Sequence, residues 1–326
     1  KTREAVALFM EKNPDILVQT VSLPFETYYE NMDIFVETGY MPDVWQGYVG
    51  ANNNLLHAGL IEPLEVYVDR GLISIEDISK SLLETGMIDG KLYGISLGCN
   101  VKCMMVIPEC FRKANLEIPE EGYKSWEALE ADLIKIKENG IAPVAGHVFD
   151  RDFTFEYFCL QRGETKFTGS GKAEIGFSKN TYVDYYRMWL RWEEEGLIPP
   201  YIATYMLRKQ PDAEETQPEY VVSFLYSNQF EQRSEKSKYR LELLPLPGME
   251  DVGGMEIRPG MHICMSSISE HKEAAARLID FLINDMEANQ ILNAERGMPA
   301  SVKVRNALLP GFNETQLEMA RLIEFA

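Results

Sequence analysis

The stretch "MPDVWQGYVGANNNLLHAGLIEPL", residues 41–64, decides how the chain is read. After Pro42 and Asp43 a short apolar run, Val44 and Trp45, gives way at once to Gln46, Gly47 and Tyr48. Three asparagines follow, and then the helix-like end "LLHAGL". Strand alternation sends Trp45 and Gln46 to opposite faces, so only one of them can point at a partner outside the sheet while the strand stays regular. The flanks supply the rest of the pattern. "REAVALFMEKNP" reads as a helix ended by Asn-Pro, "ILVQTVSL" as a strand closed by Pro24, and "FETYYENMDIFVETG" as a helix with Gly39 past its end. Strand–helix–strand at this spacing predicts an α/β protein with a parallel sheet, and "DGKLYGISL" from Asp89 gives an Asp-Gly turn followed by a strand.

The pattern restarts downstream of Pro119. Ser125 is placed to cap "WEALEADLIKIKENG", whose Trp126, Leu129, Leu133 and Ile136 share one face. "IAPVAGHVF" and "YVVSFLY" read as strands. "TYVDYYRMWLRWEEEGL" reads as a helix opened by Thr181, with Asp184 in capping-box position and Gly196 as its stop. "MHICMSSIS" is a strand leading into "HKEAAARLIDFLIND", where Ala275, Leu278, Ile279 and Leu282 recur at helical spacing. Two α/β units are visible, which suits 326 residues at roughly 100–200 per domain.

Charge narrows the function classes. A net charge of −19 opposes binding to phosphate backbones and to anionic membrane surfaces, so no nucleic-acid partner is expected. No run of about 18 apolar residues marks a membrane span. The first residues read as the middle of an amphipathic helix, so a preceding piece is expected. Five cysteines without a CxxC read as buried thiols.

Catalytic and metal signatures are missing from the pattern. Four scattered histidines make no HExxH, and "GSGK" at 169–172 lacks the first glycine and the leading strand of a phosphate loop. "EEE" at 193–195 reads as a solvated helix end. What remains is a set of polar–aromatic clusters at strand ends: "VWQGY", "FDRDFTFEYF" (149–158), "FLYSNQFEQ" (224–232) and "PGMHI" (259–263). Ligands of open α/β sheets bind at the carboxyl ends of strands. Sugars there meet flat aromatic faces, with amides and charged groups for their hydroxyls.

The order of segments resembles the extracellular solute-binding proteins of carbohydrate ABC importers, the maltose-type family 1. The resemblance is carried by "PDVWQ…LLHAGLIEPLEVYV", "DGKLYGISL" and "VIPECFRKANLEIPEEGYKSWEALEADLIKIKENG". It continues through "VVSFLYSNQF", "LLPLPG", "PGMHICMSSISEHKEAAARLIDFL" and "ERGMPASVKV". Two places depart from the family pattern. Ile107–Cys110 replaces the usual Tyr-Asn-Lys-Asp, and Ser227, Asn228 and Gln229 stand where a Gly-x-Trp is common, exchanging a stacking ring for an amide.

The resemblance implies a two-lobed, periplasmic-binding-protein-like α/β fold of type II with discontinuous lobes. The first lobe would hold residues 1–107 plus 263–309, and the second 108–262 plus 310–326. It implies a monomeric, extracellular protein, either a cell-surface lipoprotein or periplasmic. Such a protein captures a carbohydrate, an oligosaccharide, by lobe closure and hands it to the membrane permease subunits of an ABC importer. No cofactor, metal or catalytic residue is expected. The implied ligand contacts are Trp45, Gln46, Tyr48 and Asn100 from the first lobe. From the second come Asp150, Arg151, Asp152, Phe153, Tyr226, Asn228, Gln229 and His262. Two rival readings are a sugar sensor without transport and a glycoside-processing enzyme using Asp150 and Asp152. Carboxyls so near in sequence rarely flank a bond from opposite sides, as hydrolysis needs.

Overall fold

The computed structural model describes residues 1–23, 25–49, 53–147, 151–168, 174–208, 219–248 and 257–326. The chain divides into two α/β units, each built from separated pieces. One comprises Lys1–Asn100 with Ile257–Asn313, the other Val101–Glu256 with Glu314–Ala326. The first crossing falls before Lys102 rather than after Ile107, because Lys102–Val106 is a central strand of the second unit's sheet. The other crossings fall at 256/257 and 313/314.

In the first unit His262–Met265 is the central strand, flanked antiparallel by Val44–Gly47 and by Ile95–Ser96. Trp45 lies opposite Cys264 and Gly47 opposite His262. Trp45 packs inward on Met32, Val49, Leu55, Ile61 and Cys264. A second small sheet sets Gly98–Asn100 between Arg258–Pro259 and Met298–Pro299. The hairpin of Met87–Ile88 and Lys91–Leu92 turns through Asp89 and Gly90, both at positive φ, which is the Asp-Gly turn its sequence announces. The Lys272–Asn284 helix buries Ala275, Leu278, Ile279 and Leu282, the stripe read from the sequence.

In the second unit the strand order is Glu242–Leu244, Lys102–Val106, Val222–Tyr226, Ala145–His147. The Trp126–Glu138 helix is capped by Ser125, whose Oγ accepts from the Ala128 amide at 3.1 Å. Its inward face is fully buried at Leu129, Leu133 and Ile136, each contributing about 1.5–3 kcal/mol on removal from water. Against it lies an aromatic core in which Trp126 stacks on Phe224 at 5.7 Å and Trp189 meets Trp192 edge-on at 4.9 Å. Arg191 forks both oxygens of Glu130, tying this helix to Lys179–Glu194. Burial alone would raise the Glu130 pKa; the Arg191 hydrogen bonds and charge overturn that and hold it below the usual carboxylate range.

Three sequence expectations need correction. The "ILVQTVSL" segment forms no strand. It runs outside any ladder among the described residues, with Leu17 82% and Val21 76% exposed, because strand propensity without a neighbouring strand leaves its backbone groups to water. The sheets are not mainly parallel: of the described strand pairs, only Val222–Tyr226 with Ala145–His147 runs parallel. The antiparallel pairs are either local hairpins, such as Met87–Ile88 with Lys91–Leu92, or join distant pieces of chain, such as Val44–Gly47 with His262–Met265, and neither is a strand–helix–strand crossover. Finally, the helix read as opening at Thr181 starts at Lys179. Ser178 is its cap, accepting from the Thr181 amide at 3.2 Å, and Thr181 is buried in the first turn.

Candidate functional site

In the second unit the carboxyl ends of Val222–Tyr226 and Ala145–His147 lie at the same sheet edge as the start of Lys102–Val106. Phe153 comes to that edge on the short turn Arg151–Thr154, and Tyr226 stands at the end of its strand. The two rings meet edge-to-face, 4.9 Å between centroids at 86°. Antiparallel register places Lys102 opposite Tyr226. Its ammonium lies 5.0 Å from the Phe153 ring centre, 5.5 Å from that of Tyr157 and 3.7 Å from Glu156 Oε2. An ammonium over ring faces gains the attraction of a cation for the ring quadrupole.

The turn that carries Phe153 is held from beneath. Tyr185 donates its hydroxyl to the Arg151 carbonyl and lies 2.8 Å from Thr154 Oγ1. Complete burial pushes the Tyr185 phenol well above its ordinary pKa, so it serves as a neutral hydrogen-bonding post. Arg151 pairs with Glu193 and lies over the Tyr201 ring at 5.0 Å; burial draws its pKa below the usual arginine value. Glu193, read from the sequence as part of a solvated acidic run, is therefore recruited as the partner of Arg151 and receives the Tyr201 amide at 3.4 Å. Asp152 is exposed and 3.3 Å from Lys166. Asp150 lies outside the described residues, as do "GSGK" (169–172) and residues 50–52.

After Tyr226 the chain makes the single turn Ser227–Gln229. Ser227 bonds across to Val101 through both its amide (2.9 Å) and its Oγ (3.1 Å). Gln229 Oε1 accepts from the Tyr226 amide at 3.2 Å, which spends one end of its amide on the turn, while Asn228 is exposed.

The first unit treats its sequence-predicted residues differently. Trp45 is 4% exposed and turned into the core; Gln46 is half-buried on the opposite face, and its carbonyl accepts the Tyr28 hydroxyl. Tyr48 is 36% exposed, and partial burial raises its phenol pKa. His262 is enclosed at 2% exposure. Thr85 gives its hydroxyl proton to the Leu82 carbonyl (2.6 Å), so at 3.0 Å it accepts from His262 Nε2, while Nδ1 faces the Val49 amide at 3.4 Å. The neutral Nε2–H tautomer meets both partners. Burial lowers the His262 pKa to about 4. A side chain at Gly94 would strike His262, Val49 and Cys264, so the ring is walled in by a required glycine. Asn100 is 7% exposed, and its Oδ1 has no hydrogen-bond partner among the described residues.

Of the twelve sequence-predicted residues, the fold brings Arg151, Phe153, Tyr226 and Gln229 together on one edge. Trp45 and His262 are committed to the interior of the first unit. Lys102 escaped sequence reading, whereas Glu156 and Tyr157 lie in the quoted "FDRDFTFEYF" cluster without being among the implied contacts. The available signal was one lysine in the otherwise apolar run "VKCMMVI". All five cysteines are buried free thiols, and no group of three or more His, Cys, Asp or Glu among the described residues is disposed to hold a metal. No helix among those residues is long and apolar enough to cross a membrane.

Comparison with known proteins points in one direction. A family model described as bacterial extracellular solute-binding protein matches residues 1–289. The fold is similar to that of an extracellular solute-binding protein family 1 from Alicyclobacillus acidocaldarius. That pair is 26% identical, with a TM-score of 0.76, over 99% of this chain and 81% of the other. It is similar also to the ABC substrate-binding protein Lmo0181 of Listeria monocytogenes, whose structure holds cycloalternan. There the identity is 17% and the TM-score 0.77, over 99% and 83% of the two chains. A periplasmic oligogalacturonide binding protein of Yersinia enterocolitica, in complex with saturated digalacturonic acid, is 20% identical with a TM-score of 0.76, over 99% and 82%. These last two likenesses speak to fold alone.

Proposed function

We propose that this chain, which belongs to the bacterial extracellular solute-binding protein family, binds a carbohydrate outside the cell and delivers it to the permease of an ABC importer. The observation that carries the sugar reading is the Phe153–Tyr226 ring pair at the carboxyl edge of the second unit's sheet, with charged side chains within a few ångströms of it. In this reading the half-buried Tyr226 offers its ring to the C–H surface of a pyranose, the buried Phe153 packs against it as support, and charged or amide groups suit the sugar's hydroxyls. The carbohydrates named with two similar structures, cycloalternan and digalacturonic acid, support the same class. Gln46 and Tyr48 are the first unit's contributors in this reading, with Asn100 offering its carbonyl oxygen. Trp45 and His262 act as the packing behind them. Asp152 faces Lys166, which suits a solvated ion pair better than a catalytic acid, and we assign the chain no reaction of its own.

Calorimetric titration with neutral and acidic oligosaccharides, amino acids and short peptides tests this directly. A saturable heat with at least one oligosaccharide is expected. Binding confined to amino acids or peptides would sink the carbohydrate assignment, and turnover of a bound sugar would make the protein an enzyme.

A further inference from the structure

Resting on the carbohydrate reading above, with Tyr48 as one of its contacts, we infer that Thr85 and His262 are positioning residues for that contact. Thr85 fixes the imidazole tautomer, and the imidazole holds the Val49 amide and so places the Tyr48 ring. Tyr48 follows the last residue of the Val44–Gly47 strand and is 36% exposed. Val49 beside it is fully buried, packed in the cluster of Trp45 and Leu55. Among the described residues nothing bonds the Tyr48 hydroxyl, so the direction of its ring depends on how Val49 is anchored.

That anchor depends on where one proton sits. The Val49 amide meets His262 Nδ1 at 3.4 Å and is attracted only while Nδ1 carries a lone pair. Which nitrogen of an imidazole is protonated is set by the hydrogen bond at the other one. Here that bond runs to Thr85, half-buried at the end of the Lys80–Glu84 helix. Its single hydroxyl proton goes to the Leu82 carbonyl at 2.6 Å, which leaves its oxygen to accept from Nε2 at 3.0 Å. The lone pair therefore faces Val49. Burial keeps the ring neutral by lowering its pKa to about 4. The backbone closes around it as well: a methyl at Gly94 would meet His262 Cβ at 2.9 Å, and one at Gly86 would meet ring Cδ2 at 3.4 Å. Without the Thr85 oxygen the Nδ1–H form becomes accessible, and two N–H groups then face each other at Val49. Thr85 belongs to a different element from Tyr48, so its effect on a ligand has to pass through His262.

The test reads the tautomer and the ligand separately. Imidazole nitrogen NMR of the free protein, with His262→Gln to assign the ring, is expected to show the neutral Nε2–H form at neutral pH, and Thr85→Val to populate Nδ1–H. Calorimetry with malto-, cello-, xylo- and galacto-oligosaccharides and with oligogalacturonates then compares Thr85→Val and Thr85→Ser, in wild type and in Tyr48→Ala. Thr85→Val is expected to weaken binding about threefold to tenfold and Thr85→Ser to restore it. The Thr85→Val loss should vanish once Tyr48 is alanine, as coupling through one path requires. A purely structural Thr85 would lower the melting temperature in both backgrounds and leave affinity unmoved. An Nδ1–H ring in wild type, full affinity in Thr85→Val, or a loss that persists in Tyr48→Ala overturns this inference while the carbohydrate assignment stands. Silence from every sugar overturns both.

Discussion

The two units take the same kind of sequence, an aromatic and polar cluster at a strand end, and use it in opposite ways. Around Trp45 and His262 the rings are buried, the imidazole is neutral and both its nitrogens are satisfied within the first unit. Phe153 is nearly as buried as Trp45, at 6% exposure, and Tyr226 is half-buried, but these rings gather charged neighbours: Lys102 with Glu156, and Arg151 with Glu193 on the adjoining turn. Composition does not separate the two cases. Position does: Trp45 sits on the inward phase of its strand, whereas Phe153 and Tyr226 stand where a strand, or the turn after one, has run out.

Breaking that contrast should have its largest effect at Trp45. Trp45→Ala removes an indole from a closed core and is expected to destabilise the protein by about 3–5 kcal/mol, read as a lower denaturant midpoint. The pH dependence of His262 comes next. The unfolded imidazole takes up a proton near pH 6.5, the folded one only near 4, so the unfolded state binds more protons between those values. Stability contributed by the neutral ring is therefore full above pH 6.5 and lost as the pH falls toward 4. The loss is about 3 kcal/mol, and His262→Gln should flatten that part of the stability–pH curve. Glu130→Gln, which leaves Arg191 without its carboxylate, should cost about 1–3 kcal/mol of stability with sugar affinity unchanged. Tyr226→Ala reverses the pattern: about tenfold weaker sugar binding at a smaller loss of stability than Trp45→Ala, measured by calorimetry and thermal melting. Gln46→Ala should be the mildest, weakening binding by about twofold to fivefold.

Much of the fold was legible because it follows local periodicity. The 272–284 stripe, the Ser125 cap and the Asp89–Gly90 turn each depend on residues within a turn or two of one another. What depends on distant pieces of chain was not legible. The antiparallel pairing of Val44–Gly47 with His262–Met265 joins residues more than 200 positions apart, and "ILVQTVSL" looks like a strand whether or not a neighbour exists. The candidate site divides the same way. Phe153 and Tyr226 announced themselves as rings in polar surroundings. Lys102 and Glu156 come together only through the register that sets Lys102 opposite Tyr226 and the turn that returns the chain to that edge. The alternation in "VWQG" posed the choice between Trp45 and Gln46, and packing against Met32 and Cys264 resolved it.

Hydrogen exchange with and without a bound oligosaccharide tests the contrast between the two regions most directly. Ligand should slow exchange chiefly over residues 151–160 and 222–230, and only weakly over the Val44–Gly47 strand behind Gln46. Strong protection centred on Trp45 and His262, with none at Phe153 or Tyr226, would contradict the assignment of the ring pair as the sugar platform.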